Sequence, residues 1–147
     1  MLSDRGHALG KGRVVLRWVL AAFMGVAGVG HLVATSSFLG QVPTFLPSRT
    51  AIVLISGVIE IGFAVALVFF HGESLRRAGW ALATFFVLIF PGNLYQALAA
   101  TDAFGLDTPA SRWGRLLAQP VLIVWALWST DAWPRKGTPT PPGSSAS

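Results

Sequence analysis

Four stretches of mainly apolar residues divide the 147-residue sequence. A membrane-spanning helix needs about 20 such residues, and a soluble domain of this size cannot bury so many because small domains leave much of their surface in water. Composition agrees with a membrane protein, since 53% of the residues are hydrophobic and only 12% are charged. The sequence therefore predicts an all-α, polytopic membrane four-helix bundle with spans at 14–33, 50–70, 75–100 and 116–128.

Composition also excludes several classes of site. The sequence has no cysteine, which rules out disulfides, thiolate zinc sites and cysteine-ligated iron–sulfur clusters. Of the histidines, His7 precedes the spans, His31 ends the first span and His71 follows the second, so no two of them are expected to share a metal. We expect no metal site.

The positions of the basic residues predict an orientation. Eight of the 11 Lys and Arg residues flank the spans on one side, and three flank them on the other. Because basic residues are retained in the cytoplasm, we expect both termini there, in the plasma membrane of a bacterium. This bias accounts for the net charge of +5 without a nucleic-acid partner. The eight are Arg5, Lys11, Arg13, Arg17, Arg76, Arg77, Arg135 and Lys136, and the three are Arg49, Arg112 and Arg115.

The basic start followed by an apolar stretch also fits a signal peptide. Residues 32–34 form a poor cleavage site and the apolar stretch is long for such a peptide, so we predict that the first span is retained. The chain then divides into a basic cytoplasmic flank at 1–13, a four-helix domain at 14–133, and a cytoplasmic tail at 134–147. The tail is rich in Pro, Ser and Gly and is predicted to be disordered.

Glu60 is the one acidic residue inside a predicted span, and it lies near the centre of that span. A charge there costs about 2.5–3.5 kcal/mol on insertion scales. Two interpretations remain open: a carboxylate that binds a ligand or moves a proton, and a protonated acid that donates a hydrogen bond between helices. Both place Glu60 toward the inside of the bundle.

Other polar residues are predicted to gather at the outer side of the bundle, one group from each helix. Spacings of three, four or seven residues keep the members of a group on one helix face, and the inner half has no matching set. The convergence predicts a polar pocket that opens toward the outer leaflet. Its candidate ligand-binding residues are His31, Ser56, Glu60, Asn93, Gln96, Arg115 and Gln119.

Prolines shape two other segments. Pro91 deprives Val87 of a helical hydrogen-bond donor, so the third span is expected either to kink for packing or to open just before Asn93. The connection at 34–49 contains Pro43 and Pro47 and cannot form one continuous helix. We interpret it as an interfacial cap across the outer mouth of the bundle.

Five motifs in order resemble the DoxX-like family of small membrane proteins. They are Gly-His-Leu at 30–32, Phe38 with Pro43 and Pro47, Ser56-Gly57-x-x-Glu60, Phe90-Pro91-x-Asn93-x-Tyr95-x-Ala97, and Gln119 with Ile123-x-Trp125-Ala126. The resemblance implies a four-helix bundle. It also implies an association with redox or detoxification enzymes, because some members are subunits of a thiosulfate:quinone oxidoreductase. By position, the family's residues correspond to His31, Ser56, Glu60, Asn93 and Gln119.

These observations favour a non-catalytic protein whose pocket binds a small lipophilic molecule, such as a quinone, as accessory to a membrane or membrane-associated oxidoreductase. The alternative is an assembly or scaffold protein that binds no ligand. A proton-coupled small exporter is less favoured because exporters of this size tend to have balanced flanks. A membrane enzyme is also disfavoured, since the sequence offers no nucleophile–base pair or metal set.

Overall fold

The computed structural model describes residues 2–100 and 108–133. All of its regular elements in these ranges are helices, four of them long and one short, with one 3₁₀ turn. The tail predicted at 134–147, including Arg135 and Lys136, lies outside the described residues. The helices are α1 (Leu2–Val33), α2 (Thr35–Phe38), α3 (Arg49–Phe69), α4 (Gly72–Leu98) and α5 (Pro109–Ser129), and the 3₁₀ turn is Leu39–Gln41.

Three segments are long and apolar enough to cross a bilayer: Gly10–Val33 within α1, and the whole of α3 and α4. Only about a third or less of the most apolar part of each is buried inside the chain, so most of that apolar surface faces outward. Length and composition therefore indicate an integral membrane protein. α5 is as long as α3 but carries Arg112, Arg115 and Gln119, and it is not among the three.

The helices pack as two antiparallel pairs, α1 with α3 and α4 with α5. In the first pair the backbones approach most closely at Gly28 and Gly57. A Cβ atom at Gly28 would lie 2.7 Å from the Gly57 carbonyl oxygen, and one at Gly57 would lie 2.8 Å from the Gly28 carbonyl oxygen. Because only glycine leaves room for this crossing, the two positions fix how α1 lies on α3.

The second pair has a similar contact at its other end. Gly79 of α4 lies against Thr130, whose side chain is fully buried and donates a hydrogen bond to the Ala126 carbonyl. Between the pairs lies an apolar core that draws on all four long helices. It consists of Leu20, Ala21, Met24, Leu67, Leu75, Leu82, Phe85, Phe86 and Ala126.

The connections between helices follow local backbone rules. α3 and α4 are joined by only two residues, and Gly72 at the start of α4 has a φ of +55°, a left-handed conformation that glycine adopts without strain. The two-residue connection makes α3 and α4 antiparallel. Thr108 caps α5, because its hydroxyl accepts a hydrogen bond from the Ser111 amide, and Pro109 follows in the first turn of the helix.

Residues 34–48, here called the capping segment, fold over one end of the bundle. The segment contains α2 and the 3₁₀ turn and then runs irregularly through Pro43 and Pro47 to α3. Phe38 and Val42 are buried against Val53 of α3. The cap interpreted from the sequence is thus present as a packed segment that is not a continuous helix.

Candidate functional site

A cavity of about 300 Å³ lies beneath the capping segment. Residues of α1, α3, α4 and α5 form its walls, and the capping segment forms its cover. Most of the lining is apolar, with a small number of polar groups, which is the usual composition of a small-molecule site. The apolar part includes Phe38, Val42, Phe45, Leu46, Ile52, Leu88 and Ile89.

His31 and Glu60 form a buried pair on the wall of this cavity. His31 Nδ1 and Glu60 Oε2 lie 2.8 Å apart, and the two residues are 8% and 6% exposed. The crossing at Gly28 and Gly57 is one helical turn away and holds the two side chains in register. The ring of His31 also packs on Phe38, with their centroids 4.0 Å apart. The hydrogen bond between the imidazole and the carboxylate is therefore buried inside the bundle.

Arg115 adds a positive charge to the same cavity. Its guanidinium donates a 2.8 Å hydrogen bond to Gln41 Oε1, which ties the capping segment to α5, and it interacts electrostatically with Glu60. The Nε2 atom of Gln41 is buried and has no hydrogen-bond partner among the described residues. A buried amide donor without a partner is costly, and this atom is enclosed by protein rather than open to the cavity.

Asn93 and Gln119 meet at the Pro91 region of α4. Asn93 Nδ2 donates to Gln119 Oε1 at 2.6 Å, and Gln119 Nε2 donates to the Phe86 carbonyl at 2.7 Å. Gln119 therefore holds the turn before Pro91 and the turn after it against α5. α4 continues as a helix through Pro91, so the expected opening before Asn93 does not occur.

The structure brings five of the seven candidate residues to the cavity wall: His31, Ser56, Glu60, Asn93 and Arg115. Gln119 contacts the cavity only through Asn93, because both ends of its amide are occupied by α4. Gln96 is 1% exposed, does not line the cavity, and its Nε2 atom has no partner among the described residues. Its position on the same face as Asn93 places it in the helix packing one turn further along.

Sequence reasoning missed Gln41 as a cavity residue. The sequence signal of the capping segment lies in its prolines and apolar residues, and a glutamine beside them carries no distinct pattern. Arg49 reads in the sequence only as a flanking charge, yet its guanidinium donates hydrogen bonds to the carbonyls of Val42 and Leu39. Those carbonyls end the 3₁₀ turn, so Arg49 fixes the capping segment to the start of α3.

The same end of the bundle shows no arrangement for a metal ion. Within the described part of the chain, no three His, Asp or Glu side chains lie close enough together to hold one. The polar groups of the cavity are instead an acid–imidazole pair, an arginine, two amides and the Ser56 hydroxyl. This set can donate and accept hydrogen bonds and can hold a proton.

Residues 20–130 match a family described as a domain of unknown function, DUF8561. The chain belongs to the DUF8561 family. The matched range includes most of α1, the capping segment, α3, α4 and α5, and so contains every residue of the cavity wall. No curated protein and no solved structure matches the chain significantly.

Proposed function

We propose that this DUF8561 protein binds a small lipophilic molecule, such as a quinone, in the cavity under the capping segment, and that it serves a membrane oxidoreductase as a non-catalytic accessory. The observation that carries the proposal is the buried His31–Glu60 pair on the wall of an otherwise apolar cavity. A buried ionisable pair in a membrane protein is a functional-site hypothesis by default.

The chemistry of the cavity supports a ligand with a polar head and an apolar body. Arg115 supplies N–H donors for a carbonyl oxygen. His31 and Glu60 supply a proton acceptor for a hydroxyl, so both the oxidised and the reduced form of a quinone head find partners. A volume of about 300 Å³ is at the small end of ligand pockets and suits the ring rather than a long isoprenoid tail.

The arrangement in the membrane is part of the same proposal. We infer four spans with both termini in the cytoplasm, so that the cavity lies toward the outer leaflet. The antiparallel packing supports α5 as the fourth span, because its contacts with α4 extend from Asn93–Gln119 to Gly79–Thr130. The DoxX-like resemblance of the motifs supports the same bundle and an association with redox enzymes.

Quinone binding by the purified full-length protein tests the proposal. A benzoquinone with one isoprene unit and menadione would be titrated in detergent and followed by isothermal titration calorimetry. We expect the wild type to bind one molecule, and Glu60→Gln and Arg115→Gln to weaken binding about tenfold, the equivalent of one lost charge-assisted hydrogen bond. Glu73→Gln is the matched control, since Glu73 is an exposed acid outside the cavity.

Two results would overturn this assignment. If the correctly folded wild type binds neither quinone, the cavity is not a quinone-binding site. If Glu73→Gln weakens binding as much as Glu60→Gln, the interaction does not involve the cavity. A protein that binds no quinone but is isolated with a membrane partner, and whose partner's activity tolerates Glu60→Gln, would instead be the assembly or scaffold protein.

A further inference from the structure

The end of the bundle away from the cavity is strongly basic. Arg13 lies 18 residues before His31 on α1, which is about 27 Å along a helix, and it meets the end of α5 through an ion pair with Asp131. Arg76 of α4 donates to the Asp131 carbonyl and pairs with Glu73. From residue 10 onward, the basic side chains at this end are Lys11, Arg13, Arg17, Arg76 and Arg77, and the acidic ones are Glu73 and Asp131.

Two of these arginines retain unused hydrogen-bonding groups. The Nε atoms of Arg13 and Arg17 are buried and have no partner among the described residues. Arg17 also makes no ion pair with any side chain in that part of the chain, whereas Arg13 pairs with Asp131 and lies over the Trp128 ring at 5.3 Å. Because Arg13 and Arg17 are four residues apart, they share one face of α1. The enclosed Nε atoms are out of reach of an external anion, but both side chains are only half-buried, with Arg13 32% exposed, so an anion would bind to their terminal N–H groups.

An apolar groove begins beside these arginines and runs along the surface between α1 and α5. On the α5 side it extends from Trp128 to Pro120, a helix length of about 12 Å. The Trp125 indole donates a 3.1 Å hydrogen bond to the Leu16 carbonyl and so connects α5 to α1 within the groove. Val121 and Val124 are 63% and 53% exposed there. The lining residues are Leu16, Pro120, Val121, Val124, Trp125 and Trp128.

We propose that this groove binds one anionic phospholipid of the surrounding bilayer. The phosphate accepts hydrogen bonds from Arg13 and Arg17, and an acyl chain lies along α5 from Trp128 toward Pro120. Charge complementarity selects this occupant, since basic clusters at membrane surfaces attract anionic lipids. A second copy of the chain fits less well, because it would bring two basic ends together. The site is separate from the cavity and does not depend on its function.

Lipid retention by the full-length protein tests this site. The protein is exchanged into detergent with phosphatidylglycerol, phosphatidylcholine or inorganic phosphate, and bound lipid is counted by native mass spectrometry. We expect one retained phosphatidylglycerol and no specific retention of phosphatidylcholine. Arg17→Gln should weaken retention about fivefold, the effect of one basic residue near an anionic surface, and Arg17→Lys should restore most of it. Val124→Trp, which fills the groove, should also release the lipid.

Arg77→Gln is the control, because Arg77 is 80% exposed at the same end and its loss changes the net charge equally. If Arg77→Gln and Arg17→Gln release lipid equally, the attraction is diffuse and there is no site. Equal retention of phosphatidylcholine, or binding of inorganic phosphate as tight as that of the lipid, would also overturn the proposal. The helical circular dichroism spectrum of each variant confirms that a loss of lipid is not a loss of fold.

Discussion

At the scale of single residues, two buried glutamines one helix apart are expected to behave in opposite ways. Gln119 satisfies Asn93 and the Phe86 carbonyl, whereas the Gln96 amide nitrogen has no partner among the described residues. Gln119→Leu leaves the buried Asn93 amide without its acceptor and removes one hydrogen bond from the Phe86 carbonyl, so it should lower the free energy of unfolding by about 1–3 kcal/mol. Gln96→Leu removes an unpaired donor and should be neutral or stabilising.

Both variants would be compared by equilibrium unfolding with sodium dodecyl sulfate in detergent micelles, followed by circular dichroism. The two substitutions have the same change in size and chemistry, and both sites are at most 2% exposed. Their difference therefore reports hydrogen bonding alone. If Gln96→Leu is as destabilising as Gln119→Leu, the hydrogen bonds of Gln119 to Asn93 and to the Phe86 carbonyl make no specific contribution to the free energy of unfolding.

Residue type and helical spacing predict five of the polar residues that the structure brings to the cavity wall. They miss Gln41, include Gln96 and Gln119, which do not line the cavity, and give no hydrogen-bond partners. The sequence placed His31 and Glu60 inside the bundle, and the structure places them 2.8 Å apart. That pairing depends on where α1 crosses α3, which is set by glycines rather than by the polar residues themselves. Gln119 shows the same limit, because a single spacing pattern cannot distinguish a ligand-binding amide from one that bonds to a neighbouring backbone.

At the scale of helices, the crossing of α1 and α3 predicts different tolerance at two glycines of α1. A Cβ atom at Gly28 would lie 2.7 Å from the Gly57 carbonyl oxygen and 3.0 Å from the Ile61 amide nitrogen, both backbone atoms that cannot rotate away. Gly28→Ala should therefore cost about 1–3 kcal/mol, as overpacking does. At Gly25 the nearest atom is Ala64 Cβ at 3.7 Å, an ordinary contact.

Gly25→Ala is thus the matched control, and its better helix propensity should leave stability unchanged or slightly higher. The same unfolding measurement in micelles distinguishes the two variants. Because the crossing aligns His31 with Glu60, Gly28→Ala should also weaken quinone binding, while Gly25→Ala should not. Equal stability of the two variants would show that α1 and α3 are not held at this crossing.

Helix positions were largely predictable because apolar length is a strong signal. The predicted span at 50–70 differs from α3 (Arg49–Phe69) by a single residue at each end. Two helices extend beyond the apolar spans predicted for them: α1 begins at Leu2, before the span predicted at 14–33, and α5 begins at Pro109, before the span predicted at 116–128. Helix formation needs only suitable backbone propensity, and so it continues beyond the apolar stretch.

At the scale of the whole molecule, α5 decides the topology. By hydropathy α5 is not among the helices that are apolar enough to cross a bilayer, because Arg112, Arg115 and Gln119 occupy its first half. Arg112 and Gln119 are buried in the bundle, at 8% and 2% exposure, and Arg115 lines the cavity. Polar residues that face the protein interior do not prevent a helix from crossing a bilayer. On this ground α5 is the fourth span that we propose, beside the three that length and hydropathy indicate.

The absence of cysteine from the sequence allows a direct test of this topology. Single substitutions Ser3→Cys, Ser48→Cys, Ser74→Cys and Ser144→Cys would be treated with a membrane-impermeant maleimide in intact cells. Four spans with cytoplasmic termini predict that only Ser48→Cys is labelled, and that the other three react after the cells are lysed. Ser74→Cys controls for accessibility, because Ser74 is exposed at the start of α4.

A different labelling pattern would show which part of the predicted topology is wrong. Labelling of Ser144→Cys in intact cells, with Ser3→Cys still protected, means that α5 does not cross and that the chain has three spans. Labelling of Ser3→Cys and Ser74→Cys but not Ser48→Cys means that the bundle is inverted, and the cavity then faces the cytoplasm. In either case the charge distribution would have failed as a guide. Because four spans with cytoplasmic termini would put eight of the 11 basic residues on one side, the positive-inside rule predicts a single orientation and not a mixed population.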